Sequence, residues 1–226
     1  MDELKLTSSA FSDGGPIPRE CGYENGNISP PLTILAPAGT RSIALIMDDP
    51  DAMNVVKNGK KPFTEPYVHW VMYNIDANSW FKSNTRNVQI SRGNAMAKPL
   101  TMDQWNQAKE DSAMIKANRE YLREYNQKRF GESAWAGLIG LNGWGKFDYG
   151  GPAPPDKRHT YIFKAYALDI DKLPLPRADQ PGTKSDVEEA MGGPVTKGGH
   201  IIEETQLTGT YQTDEEYAKT NSSPKI

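Results

Sequence analysis

The run Gly150-Gly151-Pro152-Ala153-Pro154-Pro155 constrains this chain more than any other six residues. Glycine lets a backbone approach its surroundings closely, and proline fixes φ and withdraws an N–H. The run therefore reads as a loop of set shape. It leads to His159, Thr160 and Tyr161, which open the apolar segment Tyr161-Ile162-Phe163-Lys164-Ala165-Tyr166-Ala167-Leu168. That segment is a predicted strand. A rigid loop that delivers an imidazole and a phenol to a strand mouth suits the holding of a small polar ligand. The chain has three histidines, so one in this position is informative.

Two earlier segments supply partners. Ile43-Ala44-Leu45-Ile46-Met47 reads as a buried strand that empties into Asp48-Asp49-Pro50-Asp51, and Tyr67-Val68-His69-Trp70-Val71-Met72-Tyr73 reads as a second strand with His69 inside it. The candidate set is then Asp49, Asp51, His69, His159 and Tyr161. A carboxylate beside an imidazole raises its pKa and fixes its tautomer. An imidazole so biased, near a phenol and glycine amides, is a receptor for phosphate or carboxylate. The plainer alternative is a strand-ending turn with two satisfied core histidines. Each feature alone favours that alternative, and the set together favours a site.

In these residues the chain resembles the phosphatidylethanolamine-binding proteins, the family of the Raf kinase inhibitor protein, in its bacterial and archaeal branch. The family's Asp-Pro-Asp-Ala-Pro box followed by a His-bearing strand is similar to Asp49-Pro50-Asp51-Ala52-Met53 with His69-Trp70. Its Gly-x-Gly-Pro-type loop followed by His-Arg-Tyr is similar to Gly150-Gly151-Pro152 with His159-Thr160-Tyr161. Gly26-Asn27-Ile28-Ser29-Pro30-Pro31-Leu32, Tyr166-Ala167-Leu168-Asp169 and Leu207-Thr208-Gly209-Thr210-Tyr211 extend the likeness over nearly the whole chain except residues 95–137. The resemblance implies a pocket for phosphate, a phosphorylethanolamine-like headgroup or a small carboxylate. Asp49, His69, His159 and Tyr161 map onto it, with Tyr67 as an aromatic lining residue and Gly151 and Pro152 as the loop wall. It also implies a regulatory or signalling role, with a kinase or protease as the regulated partner. Three positions depart from the pattern: Met53 stands for the last Pro of the first box, Thr160 for Arg, and Ala153 for a second Pro.

Composition agrees with one ordinary domain of 226 residues, 37% apolar and 24% charged, expected over 1–213 with a flexible tail at 214–226. A net charge of −3 without a basic cluster argues against nucleic acid as a partner. The single Cys21 allows no internal disulfide, and no apolar run is long enough to span a membrane. A cytoplasmic location is the expectation, and a secreted chain whose signal had been removed would look the same.

Turn signals at Gly14-Gly15-Pro16, Asn25-Gly26-Asn27, Ser29-Pro30-Pro31 and Ala36-Pro37-Ala38-Gly39 separate short apolar runs, which favours a mostly β, antiparallel sandwich with a few short helices. From 200 to 211 the pattern alternates, with Ile201, Glu203, Thr205 and Leu207 on one side and Ile202, Glu204 and Gln206 on the other. A short helix is predicted over 185–191, stopped by Gly192-Gly193-Pro194. Residues 99–133 read as an inserted amphipathic helical segment opened by a capping box at Thr101-Met102-Asp103-Gln104. Its plain role is packing on the sandwich. Its sharper role is a lid or a homodimer surface beside the site.

Two function classes follow. The first is a non-enzymatic anion-binding module. The second is a small-molecule enzyme using the same residues, either through a metal held by two His and one carboxylate or with a His as general acid/base. No nucleophile elbow, P-loop or dinucleotide fingerprint is present, and binding without a cofactor is the better reading.

Overall fold

The computed structural model describes residues 3–57, 59, 61–77, 87–90, 138–146, 148–175 and 182–221, and the segment predicted over 99–133 lies outside them. Nine strands are found among the described residues: β1 (Lys5–Ser8), β2 (Gly15–Pro16), β3 (Leu32–Leu35), β4 (Ser42–Asp49), β5 (Tyr67–Asp76), β6 (Asn87–Ile90), β7 (Leu138–Ile139), β8 (His159–Leu168) and β9 (Ile201–Tyr211). They form two sheets, a three-stranded one in the order β1-β3-β6 and a six-stranded one in the order β2-β9-β8-β4-β5-β7. The architecture is the mostly β, two-sheet sandwich with few short helices that the turn spacing predicts.

β4 lies inside the large sheet, antiparallel to both β5 and β8, and all eight of its residues are buried. Burial on both faces explains why Ile43–Met47 reads as an unbroken apolar run rather than an alternating one. One face of the sheet contributes Ile43, Leu45, Met47, Trp70, Tyr161 and Phe163 to a core shared with Leu6 and Ile34 of the small sheet. The other face contributes Ala44, Ile46, Val71, Tyr73 and Leu168 to a second core that Val187 and Met191 close.

Those last two residues belong to helix α1 (Lys184–Met191), which starts one residue before its predicted span. Thr183 and Asp186 form a reciprocal capping box, and Gly192, with φ of 63°, ends the helix in the left-handed conformation; glycine adopts it without a Cβ penalty. Lys184 Nζ donates to Oδ2 of the buried Asp48 at 2.6 Å, which ties the helix to β4. A second helix, α2 (Asp214–Asn221), occupies part of the region whose polar composition suggests a loose tail. Thr213 Oγ1 accepts from Glu216 N–H while Glu216 Oε2 accepts from Thr213 N–H, a box that satisfies the first turn.

Two register shifts matter for side-chain direction. Opposite β9 the pairing slips between Ala167 and Leu168. The simple alternation places Ile201 with Leu207. In the structure Ile202 packs on the inter-sheet core with Leu207, and Ile201 on the core under α1. In β5, Met47 pairs with Trp70 and Asp48 with Val68, so His69 is the extra residue of a bulge. A bulge bends its strand and re-aims the side chain at that point.

Candidate functional site

The site gathers where β4, β5 and β8 end on the same side of the large sheet. At the end of β4, Asp49 caps the 3₁₀ turn Pro50–Asn54: its Oδ1 accepts from Ala52 N–H at 3.1 Å. Its Oδ2 is then aimed across to β8, where it meets His159 Nδ1 at 2.7 Å. Pro50 supplies the fixed φ of a first helical position and costs no needed N–H. Met53 falls within this turn, so the loss of the family's proline there leaves the turn formed.

His69 is held by the glycine loop. Its Nδ1 lies 2.8 Å from the Gly150 carbonyl and 3.1 Å from the Gly151 carbonyl. Carbonyl oxygens only accept, so Nδ1 carries the proton and Nε2 is the lone-pair nitrogen of the neutral ring. Burial pushes the His69 pKa down, against the Gly150 bond and the Asp49 charge, which push it up. Close approach of the loop is why glycines stand there. A Cβ at Gly150 would come 2.2 Å from Trp144 Cζ3, and one at Gly151 would come 2.1 Å from the Cys21 carbonyl oxygen. Asn27 clamps the same loop, accepting from Gly151 N–H at 2.7 Å and donating to the Tyr149 carbonyl at 2.9 Å. Pro152 is buried, and its carbonyl accepts from Tyr23 N–H.

His159 differs from His69 in charge. Its Nε2 lies 2.8 Å from Asp156 Oδ1, so carboxylates face both ring nitrogens. Burial alone would lower its pKa, but the bond to and charge of Asp49, with those of Asp156, outweigh this and raise it. Tyr161 lies two residues on along β8, edge-on to His69 with ring centroids 5.0 Å apart. Its hydroxyl is buried and makes no hydrogen bond of good geometry, with the Ala153 amide and Asp49 as polar neighbours. Burial and then the Asp49 charge raise its pKa. The three rings are shut off from solvent: relative exposure is 2% for His69, 1% for His159 and 0% for Tyr161.

Asp49, His69, His159 and Tyr161, with Gly151 and Pro152 behind them, are therefore brought together. Tyr67 stands at the edge, half-buried, its ring edge-on to His69 at 5.4 Å, and burial raises its pKa to about 12. Asp51 is turned elsewhere: its Oδ2 accepts from Thr160 N–H at 2.8 Å, bracing the 3₁₀ turn against β8. Sequence reasoning missed Asp156, Trp144 and Tyr23. Trp144 stacks on Tyr23 at 4.7 Å and stands edge-on to Tyr67 and His69, forming an aromatic wall. The signal available for Trp144 was a tryptophan inside the Gly-rich run just before the loop. Among the described residues, no group of three His, Cys, Asp or Glu side chains is placed to hold a metal ion. Nor is any helix among them long and apolar enough to cross a membrane.

The mostly β, two-sheet architecture with few short helices is that of the phosphatidylethanolamine-binding class. The family profile described as Phosphatidylethanolamine-binding protein matches residues 7–212, and the chain belongs to that family. Among its relatives, a UPF0098 protein of Chlamydia muridarum is 32% identical, over 93% of this chain and 100% of its own length. A UPF0098 protein of Methanothermobacter thermautotrophicus is 31% identical, over 92% of this chain and 99% of its own. The crystal structure of a putative phosphatidylethanolamine-binding protein homologue from Chlamydia trachomatis aligns with a TM-score of 0.60 at 29% identity, covering 95% of this chain and all of its own. Escherichia coli YbcL, described as a member of the mammalian family, has the same fold, with a TM-score of 0.60 at 22% identity over 94% of this chain and all of its own.

Proposed function

We propose that this chain is a non-enzymatic receptor for a small oxyanion: phosphate, a phosphorylated headgroup of the phosphorylethanolamine type, or a small carboxylate. The reading rests above all on the pairing of a buried, doubly hydrogen-bonded His159 with a buried Tyr161 hydroxyl that has no well-formed bond of its own. Buried polar groups are satisfied as a rule, and an exception calls for an explanation. An oxyanion supplies one, because its oxygens accept from the hydroxyl and, in exchange for the part-exposed Asp156 carboxylate, from His159 Nε2–H.

The two histidines then divide the work. His159, raised in pKa by its carboxylates, supplies the positive charge. His69, neutral with its proton on Nδ1, offers a lone pair to a ligand hydroxyl such as that of a monoprotonated phosphate. Among the described residues of the site none is set up as a nucleophile: Asp49 is engaged at both oxygens, by Ala52 N–H and by His159. That engagement supports binding over catalysis.

The test is an NMR titration of the His69 and His159 ring signals with inorganic phosphate, phosphorylethanolamine, acetate and a short-chain phosphatidylethanolamine in micelles. Saturable shifts at both rings, lost in His159→Ala, are expected. A response to the soluble anions alone separates a free-anion receptor from a lipid one. Silence to all four probes, or equal affinity in wild type, His69→Ala and His159→Ala, would overturn the reading. A response to divalent metal alone would favour the enzyme alternative.

A further inference from the structure

The two carboxylates that flank His159 are unlike. Asp49 is a fixed part of the fold, its side chain 5% exposed and its second oxygen bonded to Ala52 N–H. Asp156 lies in the loop three residues before the histidine, with its side chain 40% exposed. Its one other hydrogen bond among the described residues is local, from Lys157 N–H to the same Oδ1. The second carboxylate thus reaches the ring from the solvent side, on a short tether.

Carboxylates accept only, and two of them, at 2.7 and 2.8 Å, need a proton on each ring nitrogen. Asp49 and the His159 imidazolium together are neutral. The site therefore carries one anion beyond that dyad, and the anion is Asp156. Exchanging it for a small external oxyanion leaves the Nε2 donor engaged and the charge of the site unchanged.

We propose that Asp156 is a tethered occupant of the anion receptor, holding the Nε2 donor of His159 until an external oxyanion displaces it. This rests on the receptor reading above and adds what sets affinity and selectivity at that site. A ligand competes with the local concentration of a carboxylate three residues away, which for so short a linker is millimolar or above. A singly charged oxyanion replaces Asp156 charge for charge. A doubly charged one brings a second negative charge beside Asp49 and the displaced Asp156, and its repulsion is correspondingly larger, so Asp156 selects carboxylates and phosphoryl monoanions over phosphate dianions.

Calorimetric titration of wild type, Asp156→Ala, Asp156→Asn and Glu24→Gln with acetate and inorganic phosphate tests this. Asp156→Ala is expected to bind both anions about tenfold more tightly, with the larger gain for phosphate at a pH where it is doubly charged. Asp156→Asn, which keeps an oxygen for Nε2–H but no charge, is expected to fall between. Glu24→Gln removes an equal charge from an exposed position next to Tyr23, whose N–H bonds the Pro152 carbonyl, and its affinity is expected within about twofold of wild type, as for screened surface charge. Unchanged or weaker binding in Asp156→Ala would overturn the occupant role, and weaker binding would make Asp156 a positioning residue instead. An equal gain in Glu24→Gln would overturn it too, as a bulk charge effect. In these cases wild-type binding that is lost in His159→Ala leaves the receptor itself standing. No binding by wild type or by Asp156→Ala would overturn both.

Discussion

His69 and Gly150 exchange two hydrogen bonds: Gly150 N–H donates to the His69 carbonyl at 2.9 Å, and His69 Nδ1 donates to the Gly150 carbonyl at 2.8 Å. The pair joins the bulge of β5 to the glycine loop, so the loop's position and the ring's tautomer are set by one contact. The ¹⁵N signals of His69 are expected to show a single Nδ1–H tautomer from about pH 5 to 8, because burial lowers its pKa. His69→Ala leaves the Gly150 carbonyl short of its side-chain donor, a loss of about 2 kcal/mol in urea unfolding, together with loss of anion binding. A titrating His69 in that range would show that the ring is wetter than the geometry allows.

The loop's glycines separate by what a methyl group would meet. At Gly151 the obstacle is the Cys21 backbone, which has nowhere to go. At Gly150 it is the rim of the half-buried Trp144 ring, with the His69 carbonyl oxygen next at 3.2 Å. Gly151→Ala is expected to cost about 3 kcal/mol, the upper end for overpacking, and Gly150→Ala about 1 kcal/mol. Gly150→Ala is also expected to shift Trp144 fluorescence. Equal costs in urea unfolding would mean that the loop moves as a unit.

The parts of the site that follow chain order were legible in the sequence. Asp49 at a strand end, His159 and Tyr161 at a strand start, and a Gly-Pro loop before them are local patterns, and the structure brings them together. The bulge at His69 was not legible, since Tyr67-Val68-His69-Trp70 reads the same with or without an extra residue in the pairing. Asp51 and Asp156 show the same limit from two sides. Both are carboxylates in turns, three residues before Asn54 and His159 respectively. Only the trajectory of each turn sends Asp51 to the Thr160 amide and Asp156 to the ring. The division of Ile201 and Ile202 between two cores likewise depends on a register slip that an alternating pattern conceals.

The pH dependence of stability has two components of one sign. Burial raises the Asp148 pKa from its ordinary 3.8 to about 6, against the Lys146 charge and the Asn142 bond. A folded-state value above the unfolded one means that its contribution is fully present below about pH 4 and is lost as the pH rises through 6. His159 is also raised above its ordinary 6.5, its carboxylate partners outweighing burial. Its contribution is fully present below 6.5 and is lost as the pH rises through its folded value. Asp148→Asn is therefore expected to gain stability relative to wild type between pH 4 and about 7, when the difference in urea unfolding is followed across that range. The later fall above 6.5 is expected to remain in that variant and to shrink in Asp156→Ala. Difference curves flat in pH would show that Asp148 is solvated in the folded chain.

Tyr161 and Tyr211 contribute hydroxyls of opposite standing. Tyr211 Oη donates to the Arg19 carbonyl at 2.9 Å and accepts from Asn25 Nδ2 at 3.1 Å, holding the first loop to the end of β9. Tyr161 Oη is buried with no bond of good geometry. A buried hydroxyl whose polar neighbours, here the Ala153 amide and Asp49, are poorly placed for bonding adds little to stability, whereas one net hydrogen bond contributes about 1 kcal/mol. Tyr211→Phe is therefore expected to lose about 1 kcal/mol of stability and to leave anion affinity unchanged. Tyr161→Phe is expected to leave stability unchanged, or raise it by up to about 1 kcal/mol, and to weaken phosphate binding about tenfold, the size of one hydrogen bond to a charged group. Stability and affinity moving in opposite directions in one variant is what a hydroxyl kept for a ligand requires. If Tyr161→Phe instead destabilised the chain as much as Tyr211→Phe and bound phosphate normally, the hydroxyl would belong to the fold and the anion would be held by His159 alone.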